Sequence, residues 1–151
     1  LAESAEIYLL SRKLTMYKNI LVPIDLAHLR EGKDTLEIAR ANLAEGGNVT
    51  LLNVVEDIPK WAAAQLPKGT IERSMKHAKE HLKAICEKCE GMADFEVRTG
   101  HTYQVILEVA QEKNAELIII ASHRPGFREY YLGSTAAKVV RHAACSVHVI
   151  R

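Results

Sequence analysis

Cysteine is scarce. Three in 151 residues are too few to frame a disulfide-stapled scaffold, so a reducing compartment, the cytoplasm, is the simpler setting. Long apolar runs are missing as well. Those beside the strand signals reach about five to six residues, against the ~20 that a bilayer-crossing helix needs, so no membrane partner is expected. Nor is there an excess of one charge. Twenty Lys and Arg against nineteen Asp and Glu leave a formal net charge of +1, which implies no strongly basic face for nucleic acid. Internal repeats and low-complexity stretches are absent, which sets aside repeat architectures. What is left is an ordinary globular composition, 48% hydrophobic and 26% charged, at a length suited to one well-buried domain.

Residues 1–15 read differently from the rest. Glu3, Glu6, Arg12 and Lys13 punctuate them, and without an apolar core segment they do not look like a signal peptide. Met16 opens a clean strand pattern. The expectation is an N-terminal extension over 1–15, upstream of the natural start or added in cloning, ahead of one domain over 16–151. A genuine N-terminal helix that packs elsewhere is the alternative.

From Met16 onward, strand and helix signals alternate. Asn19 to Ile24 is an apolar run without polar alternation, as in a parallel strand buried on both faces. Leu36, Ile38, Ala39 and Leu43 give a helical stripe over Arg30 to Ala44, which Gly46-Gly47-Asn48 is expected to stop. Val49 to Val55 is a second buried strand, and Glu56 to Gly69, with Pro59, Trp61 and Pro67, reads as a long loop. Ile71 to Glu90 is a charged helix, Phe95 to Arg98 a more exposed strand, Tyr103 to Lys113 a helix, and Glu116 to Ala121 the most apolar strand. After a polar loop from Ser122 to Arg128, Gly133-Ser134 starts a helix to about His142, and Ser146 to Ile150 closes as a strand. Five strands and four helices in near-strict alternation predict an α/β fold, a doubly wound parallel sheet with helices on both faces.

In such sheets ligands bind beyond the carboxyl ends of the strands, where strand order reverses. Two strand ends here carry polar groups: Pro23-Ile24-Asp25 and Ala121-Ser122-His123-Arg124-Pro125-Gly126. If those strands are neighbours, their loops face one cleft. The second loop leads to Leu132-Gly133-Ser134-Thr135-Ala136. Gly133 admits close backbone approach, Ser134 and Thr135 offer hydroxyls and N–H groups at a helix start, and Arg124 and Arg128 can add charge-assisted bonds. This combination suits a phosphate. A capped helix behind a surface loop accounts for the same residues, and Asp25 can equally cap the turn after strand one.

The segments Met16 to Asp25, Leu51 to Val54 and Gly133 to Arg151 together resemble the universal stress protein family, across nearly all of 16–151. The resemblance implies an adenine-nucleotide-hydrolase-like, Rossmann-like fold and ATP as ligand, with Mg²⁺ a candidate companion on the phosphates. It implies that Asp25 meets the ribose hydroxyls and that Pro23 and Val54 line the adenine pocket. Ala121 and His123 would border the ribose and phosphates, and Arg124, Gly133, Ser134 and Thr135 would hold the phosphates. It also implies a homodimer joined through the C-terminal strand, with His148 facing its symmetry mate. ATP-binding members carry Gly, two residues, Gly, nine residues, Gly, then Ser or Thr. Here Ala121 and Arg124 replace the first two glycines, and eight residues separate Arg124 from Gly133. The variant Ala-Ser-His-Arg-Pro resembles the bacterial branch containing stress proteins F and G. Arginine at the second glycine position forbids the same backbone approach and can supply a cation instead.

The expected role is regulatory nucleotide binding in stress, with an unknown protein partner and at most slow ATP hydrolysis or self-phosphorylation, since no general base is visible near the loop. The alternative is an interaction module that keeps the fold without the nucleotide. An ATP pyrophosphatase or nucleotidyl transferase needs a Ser-Gly-Gly loop or a His-x-Gly-His signature, and neither occurs. Cys86-Glu87-Lys88-Cys89 with His77 and His81 does not promise a metal site. At ~100° per residue, Cys86 falls ~180° and Cys89 ~120° around the helix from His77. The CxxC also sits near a helix C-terminus, not the N-terminus that thioredoxin-type chemistry uses. Ser122-His123 lacks a G-x-S-x-G elbow.

Overall fold

A computed structural model describes residues 4–7, 16–89, 91–122 and 132–150. Five strands form one parallel sheet: β1 Tyr17–Pro23, β2 Leu43–Glu56, β3 Ala93–Gly100, β4 Leu117–Ala121 and β5 Ser146–Ile150. Their spatial order is β3-β2-β1-β4-β5. The helices are α1 Leu29–Asn42, the short α2 Lys60–Ala63, α3 Thr70–Glu87, α4 Thr102–Glu112 and α5 Ser134–His142, with a 3₁₀ turn at Leu26–His28. Residues 4–7 are helical and exposed. The α/β, doubly wound reading holds, and the chain reverses direction across the sheet between β1 and β4.

The winding follows from which face each strand residue buries. Ile20, Val22, Ile24, Val49, Leu51, Leu117 and Ile119 point to one face, where Ala39 of α1 and Leu82 of α3 cover them. Leu21, Leu52, Ile118 and Ile120 point to the other, under Val105, Ile106 and Val109 of α4 and Ala136 and Val139 of α5. A strand apolar at every position has nowhere to show a polar face, so helices must lie on both sides. Right-handed crossovers then put α1 and α3 on one face as the chain moves outward to β3. They put α4 and α5 on the other as it moves out to β5.

The helix that was expected to run to Ala44 and stop at Gly46-Gly47-Asn48 ends at Asn42, and β2 begins at Leu43, six residues before Val49. The glycines serve a bulge instead. Tyr17 faces Leu43 but Asn19 faces Asn48, so β2 loops out against β1. At Gly47 a Cβ would come within 2.8 Å of the Lys18 carbonyl oxygen, and Gly46 has φ 71°; only glycine permits this approach. The 56–69 segment, expected as loop throughout, contains α2, and α3 stops at Glu87 with Glu90 outside the described residues.

β3 is the sheet's other edge and carries charge. Arg98 Nη2 lies 2.8 Å from Glu96 Oε2 and 2.6 Å from Glu112 Oε2, and Lys113 Nζ pairs with Glu96 Oε1. The hydrogen bond from Lys113, helped by Arg98 and opposed by partial burial, holds the Glu96 carboxyl below its usual range. The folded pKa is thus below the unfolded one. The stabilisation is complete above the ordinary carboxylate range and is lost as pH falls through it toward the depressed value. Glu96→Gln is expected to cost up to about 1 kcal/mol at neutral pH, as for partly exposed networks. The cost should shrink below about pH 4, where the unfolded carboxylate takes up its proton while the folded one still resists it, so that the contribution of the ion pairs declines. Urea unfolding of both proteins at the two pH values measures it; a pH-independent difference would remove the ion-pair account.

Candidate nucleotide cleft

The predicted site lies where β1 and β4 end side by side. β1 pairs with β4 at Ile20–Leu117 and Leu21–Ile118. Among the described residues no pair follows, whereas β1 stays paired with β2 as far as Pro23–Leu52. Continued at the same offset, the β1–β4 register sets Asp25 level with Ser122. The neighbourhood that strand order had to supply is therefore present.

Each wall of the cleft has a local cause. Ile24 N–H donates to the Leu52 carbonyl at 2.8 Å, and the buried Asn53 Nδ2 donates to the Ile24 carbonyl at 2.9 Å, which fixes how β1 exits. Asp25 follows, exposed, and its Oδ1 accepts from Ala27 N–H at 2.9 Å. That turn-capping bond starts the 3₁₀ segment, so the structural role weighed for Asp25 is real. Because Leu52 directs its backbone toward β1, the two-residue alternation of the strand directs Val54 N–H and C=O the same way, past the end of β1. Pro23, Val54 and Ala121 are each half-buried.

On the β4 side, Ser122 N–H donates to the Ile150 carbonyl at 2.8 Å, and Ser122 Oγ accepts from Gly133 N–H at 3.1 Å. One hydroxyl thereby joins the tip of β4 to the residue that caps α5 and sets the start of α5 against that tip. Gly133 is the N-cap of α5, with no side-chain cap. The helix's own ladder leaves the N–H groups of its first turn without acceptors, and that turn holds no acidic residue. Ser134 is exposed and Thr135 half-buried.

Gly133 is unforced. Its φ of −53° and ψ of 149° suit any residue, and among the described residues a Cβ built on it meets nothing within 4 Å. Among the described residues neither backbone nor packing requires glycine here, and the missing side chain leaves open space in front of a helix N-terminus. A phosphate would suit such a helix start by charge.

Of the predicted site residues, Pro23, Asp25, Val54, Ala121, Gly133, Ser134 and Thr135 gather at this edge; His123 and Arg124, with Arg128, lie outside the described residues. Ser122 and Asn53 were passed over as positioning residues. The signal for Ser122 was a lone hydroxyl at the first position after an all-apolar strand. For Asn53 it was a polar residue inside a buried one.

The other chemical candidates have structural occupations. Cys89 is buried and its Sγ donates to the Ile85 carbonyl at 3.2 Å. Burial, followed by Cys89 and Asp94, pushes the Cys86 thiol up to about 11, away from the thiolate that reacts or ligates. His77 and His81 meet edge-on at 4.2 Å, as residues four apart on a helix should. No group of three or more His, Cys, Asp or Glu among the described residues could hold a metal ion. No helix among them is long and apolar enough to cross a membrane.

A five-stranded parallel sheet wound on both faces, with a helix start at its switch point that no side chain caps, defines the Rossmann-like class of folds. Within that class the chain belongs to the universal stress protein family, whose model matches residues 16–151. It is 27% identical over 145 residues to universal stress protein G of Salmonella typhimurium, covering 90% of this chain and all of that one. Universal stress protein UspA from Lactobacillus plantarum superposes with a TM-score of 0.72 at 27% identity, covering 90% of this chain and 99% of that one. The universal stress protein from Archaeoglobus fulgidus in complex with dAMP shares the fold, with a TM-score of 0.59 at 21% identity, over 90% and 99% of the two chains.

Proposed function

We propose that this protein is a regulatory adenine-nucleotide binder that takes ATP in the cleft between the ends of β1 and β4. One observation carries the reading: Gly133, which no described neighbour requires to be glycine, keeps space clear of the described residues before the first turn of α5. Phosphate oxygens placed there would accept from the N–H groups and hydroxyls of Ser134 and Thr135, with Arg124 adding charge. The base would lie toward Pro23 and Val54, and Val54 would offer it backbone groups. Ala121 and His123 would border the ribose. Asp25 keeps its turn-capping bond and turns its carboxylate to the ribose hydroxyls. Because α5 brings no carboxylate in its first turn, Mg²⁺ would arrive on the phosphates and not on a protein ligand. A relative in the same family holds dAMP, which supports an adenine nucleotide as the class of ligand.

Among the described residues no carboxylate pair or general base stands at α5's start, and binding rather than turnover is the expected output. The edge position of β5 supports pairing with a second copy through that strand, where an unsatisfied ladder is available, with His148 near the two-fold axis. Three free thiols, Cys86, Cys89 and Cys145, fit a cytoplasmic setting, which cell fractionation reads directly. Titration calorimetry with ATP, ADP and AMP is expected to give micromolar affinity for ATP that falls on Ser134→Ala and Arg124→Ala, and sedimentation at the same concentrations a dimer mass. Absence of heat with all three nucleotides would favour an interaction module on the same fold. The replacement of two loop glycines by Ala121 and Arg124 is the observation that supports this second reading.

A further inference from the structure

The chain has one tryptophan, and the fold does not use it. Trp61 is 73% exposed. It sits on α2, which buries none of its four residues. The hydrogen bonds that shape this stretch are local: Ala62 and Ala63 N–H to the Pro59 carbonyl, Gln65 to Ala62, Leu66 to Ala63, and Thr70 to Pro67. Leu66, a few residues on, is also exposed. The segment is a small self-folded unit strung between the end of β2 and the start of α3, showing its largest apolar groups to water.

Its place in the fold gives that exposure a use. β2 carries Val54, the candidate base contact, two residues before its end at Glu56. Trp61 follows five residues later, on the same carboxyl edge of the sheet, within the roughly 17 Å that five extended residues can reach. A unit with few tertiary contacts can move as a body at little cost. An indole is also the side chain best suited to cover the face of a purine.

We infer that residues 57–69 form a flap over the cleft, in which the Trp61 indole covers the adenine ring of the bound nucleotide. The inference rests on the nucleotide reading above and adds a base-recognition element to it. The phosphates are held on the β4–α5 side and the base on the β2 side, so flap and phosphate cradle act on opposite ends of one ligand.

A sole tryptophan makes the test direct. Titrating the full-length protein with ATP, binding is followed by calorimetry and Trp61 emission by fluorescence. Nucleotide is expected to change the intensity or wavelength of the emission with the same midpoint as the heat, while inorganic triphosphate, which lacks a base, leaves it unmoved. Trp61→Ala is expected to weaken ATP about tenfold or more, the effect of losing one stacked base, and Trp61→Phe to recover most of it. Because Trp61 touches no core, the far-UV circular dichroism of both variants should match wild type. Heat with ATP alongside an unchanged emission and an affinity within twofold for Trp61→Ala would overturn the flap and leave the nucleotide site standing. That pattern would turn Trp61 toward a protein partner. No heat with any nucleotide would overturn both.

Discussion

Leu21→Ala should remove about 3–4 kcal/mol of folding stability. Leu21 has no exposed surface and lies in β1, the middle strand of five. Its side chain points to the face covered by α4 and α5, packed among Leu52, Ile106, Ile118 and Ile120. Truncation removes the transfer free energy of the lost atoms and leaves a cavity. Strand neighbours on both sides and helices above cannot collapse into it without breaking ladder bonds. Such sites cost about 3–5 kcal/mol, at the upper end of leucine truncations. Set against a typical total of about 5–15 kcal/mol, the loss should lower the denaturation midpoint sharply at unchanged m-value. Val140→Ala is the contrast: Val140 is 46% exposed on α5, and about 0.5 kcal/mol or less is expected. Urea unfolding of the pair measures the difference. Similar costs for both would contradict the placement of β1 at the centre of the sheet.

That placement was largely legible in the sequence, for one physical reason. A parallel strand buried on both faces must be apolar at consecutive positions, and Ile20-Leu21-Val22 and Leu117 to Ile120 are. The edges were legible by the converse rule. β3 alternates, and its Glu96 and Arg98 face an ion-pair network where a central strand would carry aliphatics. What periodicity could not see was β2's early start. Ala44 to Asn48 is short, polar and glycine-rich, and reads as a helix stop. Only contact with Lys18 of β1 turns Gly47 into part of a bulge. Asp25, Ala121 and the Gly133-Ser134-Thr135 run were legible because strand ends and helix starts announce themselves by residue type. The bond from Gly133 to Ser122 was not, since its partners lie eleven positions apart in the sequence and a hydroxyl's partner is chosen by the fold.

Gly133→Ala should separate what the fold needs from what the ligand needs. Alanine at this φ and ψ restricts the unfolded chain, worth about 0.4–1 kcal/mol in favour of folding. Alanine is also the poorer N-cap, at a cost of similar size. The two nearly cancel, so stability should stay within about 1 kcal/mol of wild type. Affinity is different. The new methyl group would enter the space before the first turn of α5, pushing a phosphate oxygen off at least one charge-assisted bond, worth about 1.5–3 kcal/mol. ATP should therefore bind about ten- to a hundredfold more weakly. Gly133→Ser adds the same obstruction with a better cap, so it should lose affinity while gaining stability. Loss of binding together with stability would mean that Gly133 serves the helix alone. Wild-type affinity in both variants would mean that the phosphates lie elsewhere. The expected combination, a stable protein that no longer holds the nucleotide, arises only if the space at Gly133 is kept for a ligand.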